Sequence, residues 1–130
     1  MLMEFISTRN EAARSRLTSD LVLVDGWGFV AGLQPIDLDN DRTPLPEQVE
    51  AQTRKVLANL ERILAAAELD RENVVAVRVA LVDLPRLWER MTAAYAGFFA
   101  SDRLPAMSCI GVAALPRGAL VAMDFVVRAG

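Results

Sequence analysis

A nine-residue run at positions 74–82, VVAVRVALV, is apolar on both faces of the strand that it predicts. With a side-chain period of two, one face carries Val75, Val77, Val79 and Leu81. The other face carries Val74, Ala76, Ala80 and Val82 beside Arg78. A strand of this kind is usually covered on both sides. The fold must therefore supply cover for both faces of its sheet.

Two longer segments repeat apolar residues at steps of three and four, which is typical of amphipathic helices. The first runs from Pro46 to Ala67, and its proline suits a first helical turn because the N–H that proline lacks is unpaired there anyway. The second runs from Leu84 to Ala100, with Asp83 as the expected N-cap. Both apolar stripes are interpreted as core packing. Two helices can cover only one face of a sheet, so the second apolar face predicts a homo-oligomer.

Five further runs are short, rich in β-branched and aromatic residues, and separated by Gly, Pro, Asp or Asn. They are MEFIST, DLVLVD, WGFVAG, AMSCIGVA and ALVAMDFVV. Together with the helices they give the order β-β-β-α-β-α-β-β in one α+β domain over residues 1–130. Each helix is expected to connect parallel neighbouring strands, and the short segment ALPRG to join the last two strands as an antiparallel hairpin. The six-stranded sheet should be mixed, with both helices on one face.

The composition disfavours several classes of function. The 17 acidic and 14 basic residues give a net charge of −3, which offers phosphate backbones little to hold, so we expect no nucleic-acid partner. With no histidine and one cysteine, the chain predicts no metal site, no Ser-His or Cys-His nucleophile pair and no cofactor. Apolar runs fall short of the roughly 20 residues of a membrane helix, and the start lacks a signal-peptide core. We therefore expect no membrane association and a cytoplasmic location.

Five segments then carry a resemblance to a known family. They are VAGLQPID, EQVEAQTRKVLANLERILAAAEL, VVAVRVALVDL, AYAGFF and LPAMSCIGVAALPRGALVAMDF. In order and spacing they resemble the Rid family, also called YjgF or L-PSP proteins, over nearly the whole chain. The resemblance implies a chorismate-mutase-like (YjgF-like) fold and a homotrimer whose sheets pack inside a central barrel, with three clefts between subunits. The best-known members hydrolyse reactive 2-imino acids to 2-keto acids and ammonia.

The residues expected in the cleft depart from the family pattern. In those members an arginine of a P-A-R-S motif grips the substrate carboxylate, and a glutamate on the next strand helps to position water. Met107 stands at the arginine position and Ala122 at the glutamate position. An asparagine of the second helix corresponds to Thr92, an N-terminal tyrosine to Thr18, and an S-G-Q motif to Ala31, Gly32 and Leu33, with Gln34 displaced by one. The resemblance thus implies a ligand cleft at Met107, Cys109, Ala122, Gly32, Leu33, Thr18 and Thr92.

Strand geometry predicts what these changes do to the cleft. Met107, Cys109 and Gly111 face the same way along the fifth strand, so the thioether and the thiol should line the pocket together. Losing a guanidinium that pairs with a buried carboxylate costs about 2–5 kcal/mol. The sequence therefore predicts an apolar cleft between subunits that binds a small metabolite, without efficient 2-imino acid deaminase activity. Its catalytic residues stay unassigned.

Two other functions remain open. One is an enamine or imine deaminase, a hydrolase acting on a less anionic substrate. The other is an endoribonuclease or translation inhibitor, which the acidic balance and the absent histidine disfavour.

Several residues have both a functional and a structural interpretation. Cys109 is either a nucleophile or redox sensor, or an inert cysteine without a neighbouring cation. Met107 is either an adaptable wall for a ligand or a core filler. Asp124 is a displaced acid or a salt-bridge partner. Arg16, Arg78 and Arg103 either supply an anion-binding charge from another part of the chain or are exposed partners of surface acids.

Overall fold

Six β-strands and two α-helices follow one another in the residues that the computed structural model describes, 2–9 and 15–130. The strands are β1 (Met3–Ile6), β2 (Leu21–Val24), β3 (Trp27–Leu33), β4 (Val74–Val82), β5 (Ala106–Val112) and β6 (Val121–Arg128). The helices are α1 (Val49–Ala66), between β3 and β4, and α2 (Leu84–Tyr95), between β4 and β5. The predicted order β-β-β-α-β-α-β-β and the α+β class are confirmed.

The strands form one mixed sheet in the order β1-β2-β3-β6-β4-β5. β4 and β5 are parallel, and the other neighbours are antiparallel. Two predicted neighbour relations are wrong. β6 lies between β3 and β4, so α1 does not connect adjacent strands, and β4 lies between β5 and β6, so these two form no hairpin.

The connection between β5 and β6 explains why the hairpin prediction failed. It comprises residues 113–120, with a turn at Pro116–Gly118 in which Arg117 has a φ of 63°. Such a segment reaches well beyond the roughly 10 Å that separates alternate strands of a sheet. It therefore crosses the end of β4, which leaves the most apolar strand paired on both edges.

Both helices are shorter than their apolar periodicity predicts. α1 begins at Val49, so Pro46 lies before the helix, where its carbonyl accepts a hydrogen bond from Gln52 Nε2 at 2.7 Å. α2 ends at Tyr95, and Gly97 follows with a φ of 86°, which a continuing helix cannot contain. Asp83 occupies the N-cap position without a capping hydrogen bond from its side chain, which instead binds Arg86.

The hydrophobic core lies between the two helices and one face of the sheet. The strands contribute alternate residues to it, Val77, Val79 and Leu81 from β4 and Val121, Met123, Phe125 and Val127 from β6. The helices contribute Val49, Val56, Leu57, Leu60, Ile63 and Leu64 from α1 and Leu87 and Met91 from α2. The prediction that both helices cover one face is therefore confirmed.

A register shift in β4 corrects one face assignment. The pairing of β4 with β6 is irregular between Val74 and Ala76. As a result Val74 is buried in the core, whereas Val75 is 41% exposed and does not share the face of Val77. The extra residue of a bulge shifts the alternation of side chains.

The opposite face of the sheet carries exposed apolar side chains, which no other part of the described chain covers. Register partners place one apolar row across all six strands, formed by Phe5, Val22, Phe29, Val126, Ala76 and Ala106. Phe5 is 66% exposed and Phe29 46% exposed, and Trp27 and Ile110 are also exposed. We call this surface the open face. It is the second apolar face that the sequence predicts.

Replacing Asp20 should show how β1 and the segment after it are fixed. The buried carboxylate of Asp20 accepts hydrogen bonds from the Thr8 backbone N–H at 2.8 Å and from Arg9 Nε at 3.1 Å. Asp20→Ala leaves the Arg9 guanidinium without its partner, so we expect the free energy of unfolding to fall by about 3–5 kcal/mol. Urea unfolding at one fixed protein concentration measures this loss.

Asp41→Ala is the matched control for Asp20→Ala. It removes an exposed carboxylate that lies 3.6 Å from Arg117, and exposed ion pairs contribute at most about 1 kcal/mol. Equal losses in the two variants would contradict a structural role for the buried pair.

Candidate functional site

Met107 and Cys109 lie on the helix-covered side of β5, which is an edge strand of the sheet. Their register partners on β4 are Val77 and Val79, both buried in the core. With Leu84 and Trp88 of α2 they line a groove of about 390 Å³. The structure thus brings the thioether and the thiol into one groove, which we call the Met107 groove.

Two residues of this groove escaped the sequence analysis. Leu84 and Trp88 belong to the apolar stripe of α2, which the periodicity assigned to the core as a whole. Residues four positions apart lie on one helix face, so these two reach the groove together, and Trp88 is 38% exposed. The buried positions of α2 are Leu87 and Met91.

The Met107 groove offers no charge to an anionic ligand. Its four lining residues include one titratable side chain, the Cys109 thiol, and partial burial raises the pKa of that thiol. A raised pKa keeps the thiol protonated at neutral pH, and a thiol is a weaker nucleophile than a thiolate. The arrangement suits apolar or weakly polar ligand groups.

Ala122 lies on the other side of the sheet. Its register partner is Ala80, which pairs in turn with Ile110, so Ala122 is on the open face although its own side chain is buried. Within one chain, therefore, the two positions that the resemblance aligns with the family arginine and glutamate are on opposite faces. The structure does not bring Met107 and Ala122 together in a single copy.

Gly32 lies close to the Ala122 side of the sheet. Its backbone N–H donates to Asp124 Oδ1 at 2.7 Å, and Asp124 follows Ala122 by two positions on the same strand face. Gly32 has a φ of 60°, a left-handed conformation that favours glycine, at the register shift between Val30 and Leu33. Ala122, Asp124 and Gly32 thus form a second group of candidate residues on the open face.

Leu33 does not belong to this exposed group. It is 5% exposed and part of the hydrophobic core, so within one copy its side chain packs on the helix-covered side of the sheet. The register shift after Val30 turns Ala31 and Gly32 outward and Leu33 inward. The next residue, Gln34, donates from Nε2 to the Pro116 carbonyl at 3.0 Å, which ties the start of the following loop to the β5–β6 connection.

Neither threonine of the predicted cleft lines the Met107 groove. Thr18 is exposed in the segment before β2, and its hydroxyl donates to the Ser19 carbonyl at 3.0 Å. Thr92 lies one turn beyond Trp88 on α2 and is half-buried, with its hydroxyl donating to the Glu89 carbonyl of the same helix at 3.1 Å. Both hydroxyl groups therefore already have local partners.

The arginines considered as alternative anion sites have different surroundings. Arg78 is exposed on the open face in the middle of β4, with Asp124 and Ser108 as its register partners. Arg103 lies 3.9 Å from Glu72 at the loop between α2 and β5, and Arg16 is exposed near the first strands. None of the three lines the Met107 groove.

Residues 2–9 and 15–130 contain no cluster of His, Cys, Asp or Glu side chains suited to hold a metal ion. Over the same described ranges, neither helix combines the length and the hydropathy that crossing a membrane requires.

The sheet order, the two helices on one face and the two groups of candidate residues define an α+β protein with the YjgF-like fold. The structure superposes with a TM-score of 0.87 on a crystal structure of YyfA from Yersinia pestis, described as a protein of unknown function of the conserved Rid protein family. The two chains are 27% identical, and the match covers 98% of this chain and 99% of that one.

Sequence comparison gives the family directly. A family model described as Endoribonuclease L-PSP matches residues 8–129. The chain belongs to this family, which is also known as the Rid or YjgF family.

Two relatives illustrate the range of the family. The chain is 32% identical over 126 residues to the RutC family protein slr0709 of Synechocystis sp., covering 97% of this chain and 96% of that protein. It is 31% identical over 130 residues to the 2-iminobutanoate/2-iminopropanoate deaminase of Rattus norvegicus, covering 100% and 93% of the two chains.

Proposed function

We propose that this protein is a homotrimeric, cytoplasmic Rid-family protein that holds a small, weakly charged metabolite in a cleft between subunits, without efficient 2-imino acid deaminase activity. The observation that carries the proposal is Met107, which stands where a deaminase arginine is expected and lines a groove without charged walls. A substrate carboxylate would find no cation there.

The separation of the candidate residues supports a cleft between copies. Met107 and Cys109 lie on the helix-covered side of an edge strand, whereas Gly32 and Ala122 lie on the open face. A second copy packed against the open face would bring its own edge strand towards these residues. The apolar row through Phe29 supplies the surface for such packing, since burying apolar area contributes about 25 cal/mol per Å².

The size of the missing interaction decides the expected activity. Truncating one partner of a buried, hydrogen-bonded charge pair costs about 2–5 kcal/mol, which corresponds to factors from tens to thousands in binding. The loss of a water-positioning carboxylate at Ala122 adds to this deficit. Small anionic imines are therefore poor substrates for this cleft.

We expect the purified wild-type protein to release ammonia from freshly generated 2-imino acids no faster than the buffer background. The imines are produced in the assay from alanine or leucine by an amino-acid oxidase, and the rat deaminase, 31% identical to this chain, is the positive control. Stopped-flow detection of imine decay measures the rate. A rate within about tenfold of the rat protein would contradict the proposal, since the missing guanidinium should remove at least that factor.

The second candidate is a deaminase for imines without a carboxylate. Two observations favour it, namely the relation to the rat deaminase and the Asp124 carboxylate, which the Gly32 N–H holds two positions from Ala122. The same assay with an uncharged imine tests this alternative, and turnover with that substrate alone would favour it over the non-catalytic function.

An endoribonuclease function finds less support. The description of the family model names this activity, but the net charge of −3 and the absence of histidine from the sequence provide neither a phosphate-binding surface nor the usual acid–base residue. RNA binding that weakens steeply with increasing salt concentration would support an endoribonuclease function.

A further inference from the structure

A second and larger groove lies on the helical side of the molecule. It is formed by the C-terminal part of α1, the short turn at Arg71–Asn73 and the loop that leads from α2 to β5, and its volume is about 590 Å³. This volume is within the usual range for small-molecule sites, roughly 300–1,000 Å³. It shares no residue with the Met107 groove. We call it the Arg103 groove.

One wall of the Arg103 groove is aromatic and held in place. The Arg71 guanidinium lies 4.7 Å from the centroid of the Phe98 ring, and Arg71 Nη1 donates to the Phe98 carbonyl at 2.6 Å. Phe98 also packs edge-on against the buried Phe99, with 4.9 Å between ring centroids. These contacts leave a defined apolar surface, extended by Leu69, along the groove.

The charged walls contain two loose ion pairs. Arg71 Nη2 lies 3.5 Å from Glu61 Oε2, and Arg103 Nη1 lies 3.9 Å from Glu72 Oε2. By contrast, the shortest N–O distance is 2.8 Å in each of two exposed pairs elsewhere on the surface, Arg62–Asp39 and Arg90–Glu50.

Of the two ion pairs, Arg103–Glu72 has more unused hydrogen-bond donors and acceptors. Within the described residues, the Arg103 guanidinium makes no hydrogen bond that meets ordinary geometry, because 3.9 Å exceeds the N–H···O range. The Arg103 backbone N–H donates to the Ala100 carbonyl at 2.9 Å, which fixes the turn that carries the side chain. A cation and a carboxylate therefore face one cavity, each with unused donors or acceptors.

We propose that the Arg103 groove binds a small zwitterion, namely an α-amino acid with an apolar side chain. The ligand carboxylate lies on the Arg103 guanidinium, the ammonium group on Glu72, and the side chain against Phe98. This site is separate from the Met107 groove, and the inference does not depend on the function proposed for that groove.

The charges of the groove favour a zwitterion over either of its halves. Glu61, Asp70 and Glu72 outnumber Arg71 and Arg103, so a simple anion would meet repulsion. A simple amine would satisfy the acids but would leave the Arg103 donors unused. A ligand that carries an ammonium and a carboxylate on the same carbon can bind the acidic side chains and the Arg103 guanidinium at once. Charge-assisted hydrogen bonds of this kind are the strongest available to exposed groups.

Isothermal titration of the full-length protein with three matched probes tests the proposal. The probes are L-leucine, 4-methylpentanoate, which lacks the amino group, and 3-methylbutylamine, which lacks the carboxylate. We expect L-leucine to bind with a Kd of about 1 mM or below and each truncated probe to bind at least about tenfold more weakly. Absence of L-leucine binding up to about 10 mM, or equal binding of either truncated probe, would overturn the proposal.

Variants locate the binding. Arg103→Met and Glu72→Gln should each weaken L-leucine binding about tenfold. Arg117→Met should leave it unchanged, because Arg117 makes a comparable loose ion pair with Asp41, 3.6 Å apart, and does not line the groove. Amide NMR spectra check that each variant is folded. Unchanged affinity of the Arg103→Met variant for L-leucine would show that L-leucine binds elsewhere and would contradict the assignment to the Arg103 groove.

Discussion

Introducing arginine at position 107 and glutamate at position 122 should raise ammonia release from small 2-imino acids at least about tenfold above the wild-type rate. Met107 is 38% exposed, so a guanidinium at this position remains partly hydrated until a substrate carboxylate binds. It then supplies the bidentate grip that the Met107 groove lacks. The same imine-decay assay measures the gain.

The design of this experiment follows from the position of Ala122. Ala122 is 5% exposed on the open face, so a glutamate there has to displace neighbouring groups, and the single variant Met107→Arg must be measured as well. Val75→Arg with Ala122→Glu is the matched control, because Val75 has a similar exposure of 41% and the change of charge is the same. Equal gains in both double variants, or no gain in a folded and assembled Met107→Arg/Ala122→Glu protein, would contradict the proposed cleft.

Much of the fold could be predicted because the two side-chain periods are well separated along the chain. Steps of three and four identified α1 and α2, and alternation identified the strands. The order of strands was beyond this reasoning, since a connection such as residues 113–120 is compatible with both a hairpin and a crossing. The true end of α2 at Tyr95 was hidden because Phe98 and Phe99, beyond Gly97, continue the apolar spacing.

The candidate site was predictable only where the strand alternation is regular. β5 has no register shift against β4, so Met107 and Cys109 reach the same groove as period two predicts. β3 does shift, between Val30 and Leu33, and Leu33 therefore turns into the core. Trp88 was read as core because one helix stripe supplies both buried and groove-lining residues, and only the packed structure separates them.

Placing an aspartate at position 29 should convert the proposed trimer into monomers. Phe29 is 46% exposed at the middle of the apolar row that crosses the open face. Assembly would bury the new carboxylate without a partner, at a cost of roughly 3–5 kcal/mol, which exceeds a hundredfold in the association constant. Sedimentation velocity at micromolar concentration should give a trimer for the wild type and a monomer for Phe29→Asp.

Ala93→Asp is the matched control for this dissociation. Ala93 is exposed on α2, on the helical side of the molecule, so the same charge there should leave assembly unchanged. A trimer that persists in Phe29→Asp, or a wild-type protein that is already monomeric, would show that the open face is not the surface that joins the copies.

Combining the two sets of changes separates the chemistry of the cleft from its assembly. Met107 and Ala122 lie on opposite faces of one sheet, so arginine and glutamate at these positions can act on one substrate only if two copies contribute one residue each. Phe29→Asp should therefore abolish the activity gained by Met107→Arg/Ala122→Glu, whereas Ala93→Asp should preserve it. L-leucine binding in the Arg103 groove should survive in both backgrounds, because that groove is complete within one chain.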